Sequence, residues 1–490
     1  MINKLIGMDF SAFKDALKCR EGQKSADVDA KEARLIPVYK DEGALASVFL
    51  SGIRLIKEFQ KHFLSEAEIK SGRIYVYREV DFKKPLKNTN EGCRVDGLLI
   101  LVKSEKIVDA VIFEMKSKMN CLDQKQIEKY VELCGLLGVT KLVTISNQPT
   151  SNPCQSPFLS KVSKNNKFNL IHFSWEYIIT VASNFINSDN AIEDSDQKEV
   201  MKEILSYLQC SDTGSYVFSE VKKEWKDYTT KIDNGATVSD GDECLGITAV
   251  NLAQLESHLS LELSKLSFSF VGIVEHKDHR ENYKEKIDDI ISSLKKNKTY
   301  ESRFRVKNSI SDLEMVVHFA SKKLEFAMNV EIPEDRDKNK TKLSWLKTYQ
   351  IEHCKKKNSV DFAKISNELF IELYLKNTSK CERYPYSDFD AILTKVGEKD
   401  IREFKLIYVR NNLGKNFEGS KIVSEVESAC RLFYKVFVEN LRPIKNEVAK
   451  LHSEILKPVS AFSEIASLNQ TDENAGNVED NSIEAGKVAS

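Results

Sequence analysis

The stretch RVDGLLILVKSEKIVDAVIFEMKSK, residues 94–118, decides how this chain is read. Two apolar segments flank a polar turn, and acidic groups stand at the outer ends. Folded as a hairpin with its midpoint at Glu105, it sets Asp96 opposite Glu114, because each lies nine residues from that midpoint. Cross-strand partners share a face of the sheet, and Lys116, two residues past Glu114, points the same way. Two carboxylates and an ammonium at one end of an apolar hairpin are costly unless something binds there. A divalent cation is the evident candidate.

Before the hairpin, residues 44–64 read as a helix, with Leu45, Val48, Phe49, Ile53, Ile56, Phe59 and Phe63 on one stripe. Asp41 and Glu42 stand at its entrance, where acids complement the helix macrodipole. Residues 73–80 read as a strand. After the hairpin come a helix over 122–137, strands over 141–147 and 169–173, and a helix from Trp175. The order helix, three strands, helix, strand predicts a mixed α/β core.

Asp96 followed after seventeen residues by Glu114-Met115-Lys116 resembles the signature of the PD-(D/E)XK phosphodiesterase superfamily, which includes many restriction and repair nucleases. The acid opens one strand, the E-x-K closes the next, and a helix follows at once. Val95 stands where the family's name has Pro, a position at which many members depart. Gln126 and Tyr130, at i and i+4 on the following helix, are similar to the Q-x-x-x-Y motif of the RecB-like branch, whose pair lines the site and contacts DNA.

The resemblance implies a restriction-endonuclease-like αβββαβ core over residues 1–187 that hydrolyses phosphodiester bonds of nucleic acid, DNA in preference to RNA. Asp96 and Glu114 would hold Mg²⁺, with Mn²⁺ as a substitute. The Met115 carbonyl would add a backbone ligand and Glu42 a supplementary one. Lys116 would orient or deprotonate the attacking water and offset charge on the phosphate. Lys118, on the same face by strand alternation, is a phosphate contact or a solvated lysine. The superfamily's distribution implies bacterial antiviral defence or restriction as the setting. One site per chain implies a homodimer, or sequential nicking, for cleavage of both strands.

A chain of 490 residues is long enough for two or three domains. The polar, acidic segment 188–197 reads as a linker, and residues 198–460 as an α+β region for substrate recognition, sensing or dimerisation. Within it, residues 198–266 read as mainly helical and 268–274 as a strand. A helix follows over 280–296, and alternating segments fill 300–332. Strands are expected at 369–375, 390–396 and 404–409, and a final helix at 420–441. Residues 468–490 hold five acids and one lysine and read as a disordered tail.

Composition narrows the function. With a net charge of −1 the protein is no polycation, so any nucleic-acid contact comes from local patches. Lys161, Lys164 and Lys167 form one, close in sequence to the core. Residues 336–357 form another, with eight Lys or Arg, and include Lys342, Trp345 and Tyr349. The competing reading of that second patch is an amphipathic helix that buries Leu343, Trp345, Leu346 and Ile351. Ten cysteines without a C-x-x-C pair read as free thiols rather than a zinc knuckle. The N-terminus carries no long apolar core before a cleavage site, and no run approaches the roughly 18 to 20 apolar residues of a membrane span, so a cytoplasmic protein is expected.

A second D…E-x-K, Asp390 with Glu403 and Lys405, fails as a site. Pairing its apolar segments leaves Glu403 near the turn and far from Asp390. His276 and His279 lack a third ligand nearby and read as a solvated turn. Two other classes of function fit the same residues: an inactive module that retains the fold to hold nucleic acid or protein, and a sensor whose C-terminal region controls the nuclease.

Overall fold

Seven strands build a first sheet in chain order: β1 (Leu17–Lys18), β2 (Val28–Glu32), β3 (Arg73–Phe82), β4 (Cys93–Lys103), β5 (Lys106–Met115), β6 (Lys141–Ser146) and β7 (Asn169–Ser174). They come from a computed structural model that describes residues 4–18, 28–32, 42–69, 72–83, 86, 92–118, 120, 122–153, 168–188, 191–239, 241–275, 282–378, 381–397 and 399–444. β3, β4 and β5 form an antiparallel meander, and β5, β6 and β7 run parallel. All of β6 is buried, as a parallel strand covered on both faces must be.

Helices α1 (Phe10–Ala16), α2 (Glu42–Leu55), α3 (Lys57–Glu66), α4 (Gln124–Leu137) and α5 (Trp175–Asn187) cover that sheet. Leu99, Val111 and Phe113 pack with α2, α3 and α5. Leu98, Ile100, Ala110 and Ile112 pack on the other face with α1 and α4. The single helix expected over 44–64 is broken at Ile56, whose backbone is extended. Gln60 Nε2 satisfies the freed carbonyl of Ile53 at 2.9 Å, and the break lets Phe49, Phe59 and Phe63 pack edge to face.

The turn of the central hairpin is Ser104-Glu105, both at positive φ (49° and 63°), the conformation of a two-residue type I′ turn. It pairs Lys103 with Lys106 and Val102 with Ile107. The register then shifts: Leu101 pairs with Asp109, leaving Val108 as an extra residue in β5. The ladder continues to Gly97 opposite Phe113, and the next step sets Asp96 across from Glu114. An even turn plus a bulge therefore reaches the pairing that a symmetric turn about Glu105 predicts. The N-terminal segment holds this turn, with Ile107 N–H donating to Met8 O at 3.1 Å and Phe10 N–H to Glu105 O at 2.9 Å.

Past α5, helices α6 (Ser195–Gln209), α7 (Lys223–Asp233) and α8 (Glu243–Ser267) lead to a second sheet. Its strands are β8 (Gly272–Ile273), β9 (Thr299–Arg305), β10 (Leu313–His318), β11 (Lys323–Glu331), β12 (Leu369–Leu375), β13 (Cys381–Pro385) and β14 (Ile401–Arg410). They lie in the order β13-β12-β14-β11-β10-β9-β8, all antiparallel. Helices α7 and α8 and the helix Gly419–Phe433 share one apolar core with it.

Three expectations change here. Only β8 forms within 268–274. Residues 390–396 are helical rather than a strand, because Phe389, Ile392 and Val396 fall at helical spacing and all turn into the core. The last helix leaves α geometry at Phe433 and continues as a wider turn over Tyr434–Val438. Lys161, Lys164 and Lys167, the pair His276 and His279, and residues 468–490 lie outside the described residues. Among those described, no helix is long and apolar enough to cross a membrane.

Gly97 leaves no room for a side chain: a Cβ there would lie 2.9 Å from Leu50 Cδ1 and 3.1 Å from Phe113 Cβ. Gly97→Ala is expected to lower unfolding free energy by about 1–3 kcal/mol. Gly135, on α4 with open space around it, is the control. Gly135→Ala should raise stability by about 0.5–1 kcal/mol. Denaturant unfolding of both variants checks the pair.

Candidate metal and catalytic site

Four elements converge at the open end of the hairpin. α2 begins with Glu42, β4 carries Asp96, and β5 ends at Glu114 and Met115 with Lys116 next. α4 presents Gln126 and Tyr130, and its N-terminus is capped by the Asp123 side chain, which accepts from Lys125 N–H. Glu114 is the centre. It is 1% exposed, and its Oε1 accepts from Lys116 Nζ at 2.5 Å and from Gln126 Nε2 at 2.6 Å. Gln126 also donates to Tyr130 OH at 2.9 Å, and that hydroxyl reaches Arg94 O at 3.4 Å. Glu114 Oε2 is buried with no hydrogen-bond partner.

Asp96 Oδ2 accepts the Met115 N–H at 2.7 Å, which ties the two strands together beyond their last ladder pair. Lys116 Nζ also stands 3.5 Å from Glu42 Oε1, and Glu42 Oε2 accepts the Ser117 N–H at 3.0 Å. Backbone groups after the strand are held in turn. Lys116 N–H donates to Ile145 O at 2.8 Å, Trp175 Nε1 donates to Lys116 O at 2.7 Å, and Lys118 N–H donates to Gly214 O at 2.7 Å. Lys118 is exposed, and its φ of 55° ends the strand alternation that would have set it on the face of Lys116.

Burial makes the carboxylates reluctant to ionise. It raises Asp96 above the usual range, although the Met115 N–H and Lys116 pull the other way. Glu114 is pushed up to about 8, first by burial and then by the charge of Asp96. Burial alone would lower Lys116, but its bond to Glu114 and the charges of Glu114, Glu42 and Asp96 outweigh that and raise it. Tyr130 is raised far above its ordinary value by burial and by Glu114.

The donor set fits a hard divalent cation. Two carboxylates repel each other across the hairpin, and one oxygen of Glu114 is left without a protein partner. Glu42 is linked to the pair through Lys116, whose Nζ stands 3.5 Å from Glu42 Oε1 and 2.5 Å from Glu114 Oε1. Water would complete the coordination shell. Beside Gln126 and Tyr130 opens a cleft of about 580 Å³, also lined by Asp81, Lys83, Gly92, Cys93, Arg94 and Lys129. Arg94 and Lys129 were not singled out by sequence, because neither stands in a basic run.

Two expected nucleic-acid contacts are corrected. Lys342 is 4% exposed and ion-paired with Asp400 at 2.5 Å, and Trp345 is buried in the core of the second sheet. The basic segment 336–357 follows the amphipathic reading, with Leu343, Leu346 and Ile351 buried as well. The second D…E-x-K does not converge: Asp390 pairs with Lys347, and Lys405 with Glu314.

A proton on Glu114 competes with a cation, so Mg²⁺ affinity should rise by up to about tenfold per pH unit and level off above about pH 8. Calorimetric titration from about pH 6 to 9 measures this, and Glu114→Gln should flatten the profile. The stability effect has the opposite sign. The folded value lies above the unfolded one, so without metal the contribution of Glu114 is full below about pH 4.5 and is lost as pH rises through about 8.

Comparison of the chain with protein-family models, with curated proteins and with solved structures finds no match. A functional reading therefore rests on the geometry of the site.

Proposed function

We propose that the first sheet and its helices form a restriction-endonuclease-like nuclease that hydrolyses phosphodiester bonds of DNA with Mg²⁺ or Mn²⁺. The observation that carries the reading is the meeting of Asp96, Glu114 and Lys116 on one sheet face, with Gln126 and Tyr130 closing over Glu114 from α4. Asp96 and Glu114 would hold the cation, with Glu42 and the Met115 carbonyl as supplementary donors. The bound cation supplies a Lewis acid that polarises the phosphoryl oxygen and lowers the pKa of water.

The chain's own groups do the rest. Lys116, its side chain 15% exposed, presents an ammonium that can orient the attacking water and offset charge developing on the phosphate. Gln126 and Tyr130 fix the rotamer of Glu114. Lys83, Arg94 and Lys129 give the cleft a basic lining suited to the backbone phosphates of a strand entering beside Gln126. No such role remains for Lys342 or Trp345.

Purified full-length protein should cleave linear, circular or single-stranded DNA with Mg²⁺ and stop with EDTA. Asp96→Asn and Lys116→Met should each lower kcat by at least about a hundredfold. Cleavage that persists in both variants removes the site assignment. Cleavage of RNA alone corrects the substrate, and tight binding without cleavage of any nucleic acid replaces the reading with a binding module. Arg94→Ala and Lys129→Ala should raise KM severalfold with little change in kcat, and each should reduce the salt dependence of binding by about one ion.

A further inference from the structure

Trp175 and Glu176 are consecutive at the start of α5, and they face different neighbours. Trp175, fully buried, donates its indole N–H to Lys116 O. Glu176, 1% exposed, meets His258 of α8, with Oε1 2.5 Å from Nδ1. The other ring nitrogen, Nε2, meets Glu427 Oε1 of the helix Gly419–Phe433 at 2.7 Å. One imidazole thus joins α5 to two of the helices that pack against the second sheet, α8 and Gly419–Phe433.

A carboxylate on each nitrogen requires an N–H on each, so His258 is an imidazolium. Burial alone would lower its pKa, but the charge and hydrogen bond of Glu176 and the bond of Glu427 raise it to about 10. The remaining neighbour, Glu262, pairs with Lys265 at 2.6 Å and lies 3.7 Å from Arg431. Three carboxylates are thereby matched by three cations. An imidazolium has no lone pair to offer a metal, and a balanced cluster has no charge deficit to attract one.

A second connection follows the same route. Phe218 packs beside the imidazole at a tilt, with ring centroids 5.8 Å apart, and its N–H reaches Glu176 Oε2 at 3.4 Å. Four residues earlier in the chain, Gly214 O accepts from Lys118 N–H and from Asn147 Nδ2. Asn147 Nδ2 also donates to Lys118 O, and Asn147 Oδ1 accepts the Tyr216 N–H at 2.7 Å. The segment entering the second half therefore touches the clamp at one end and the loop after Lys116 at the other.

We propose that His258 is a positioning residue for the candidate site. Clamped between Glu176 and Glu427, it fixes α5 so that Trp175 holds the carbonyl of Lys116, and the second sheet thereby sets the geometry of the Lys116 ammonium. The catalytic consequence rests on the nuclease reading; the structural coupling does not.

The test uses the full-length chain labelled with ¹⁵N. It holds three tryptophans, and Trp175→Phe identifies the Trp175 indole N–H resonance. His258→Gln and Glu427→Gln should both shift that resonance. Lys405→Met, which breaks the ion pair with Glu314 on the second sheet, should leave it in place. In the same two variants kcat for DNA should fall about five- to fiftyfold with KM within about twofold, as expected for a displaced rather than missing group. If His258→Gln does not fold, Glu427→Gln decides, because that side chain is 36% exposed.

An unmoved Trp175 resonance in a folded variant overturns the coupling whether or not the protein cleaves nucleic acid. A shifted resonance with unchanged kcat overturns the positioning role. Stoichiometric metal in the purified protein, lost in His258→Gln, overturns the imidazolium clamp in favour of a metal centre. An inactive wild type removes the nuclease reading alone, and the resonance still decides the coupling.

Discussion

The turn at Ser104 and Glu105, taken alone, would pair Asp96 with Phe113 and send Glu114 to the opposite face of the sheet. Val108 changes that. As an extra residue in β5 it advances the register by one, and a one-residue slip exchanges every inward side chain for an outward one. Asp109, where the ladder resumes, is pinned by a buried ion pair with Lys141 of β6 at 2.7 Å. The bulge is therefore held from the far side by the next strand, and from the turn side by the N-terminal segment paired to Ile107. Two anchored neighbours make the shifted register the stable one, and the meeting of the carboxylates follows from it.

What that meeting costs is visible in the protonation of the site. Glu114 is buried, stands beside another carboxylate and leaves one oxygen unpaired, while Lys116 partly compensates at the other. A fold selected for stability alone would place an apolar pair here, as it does at Leu98 and Ile112 further along the same face. Such a conflict between burial and charge has no packing rationale, and it is what the proposed metal site would require.

Much of the first half was legible because its signals are local. Apolar alternation in residues 94–118 marks both strands, and the helical spacing of Gln126 and Tyr130 places them on one face of α4. The pairing of Asp96 with Glu114 was reached from a symmetric turn, whereas the actual path is a tighter turn and a bulge, a difference that leaves no imprint on composition. Lys342 and Trp345 misled for the converse reason. A basic, aromatic segment looks like a nucleic-acid surface until Asp400, fifty-eight positions away, turns out to neutralise the lysine in the core. Residues 390–396 were misassigned because short apolar runs fit either period, and burial of Ile392 and Val396 on one side decides for the helix.

The contacts invisible in sequence are those that tie the site to the rest of the molecule. Trp175 lies fifty-nine positions from Lys116, His258 eighty-two from Glu176, and Glu427 a further one hundred and sixty-nine from His258. None sits in a motif, and each is an ordinary residue in its own helix. Their effect comes from adjacency in space: one helix N-terminus presents two successive side chains, one to the Lys116 carbonyl and one to His258 of α8. Both are buried, so neither can relax into solvent when the other is displaced. A shift of the helix Gly419–Phe433 would leave the buried His258 imidazolium short of one partner, and moving α5 with it avoids that penalty. The second sheet is thus mechanically joined to the Lys116 loop by the same desolvation cost that makes the clamp selective for one arrangement.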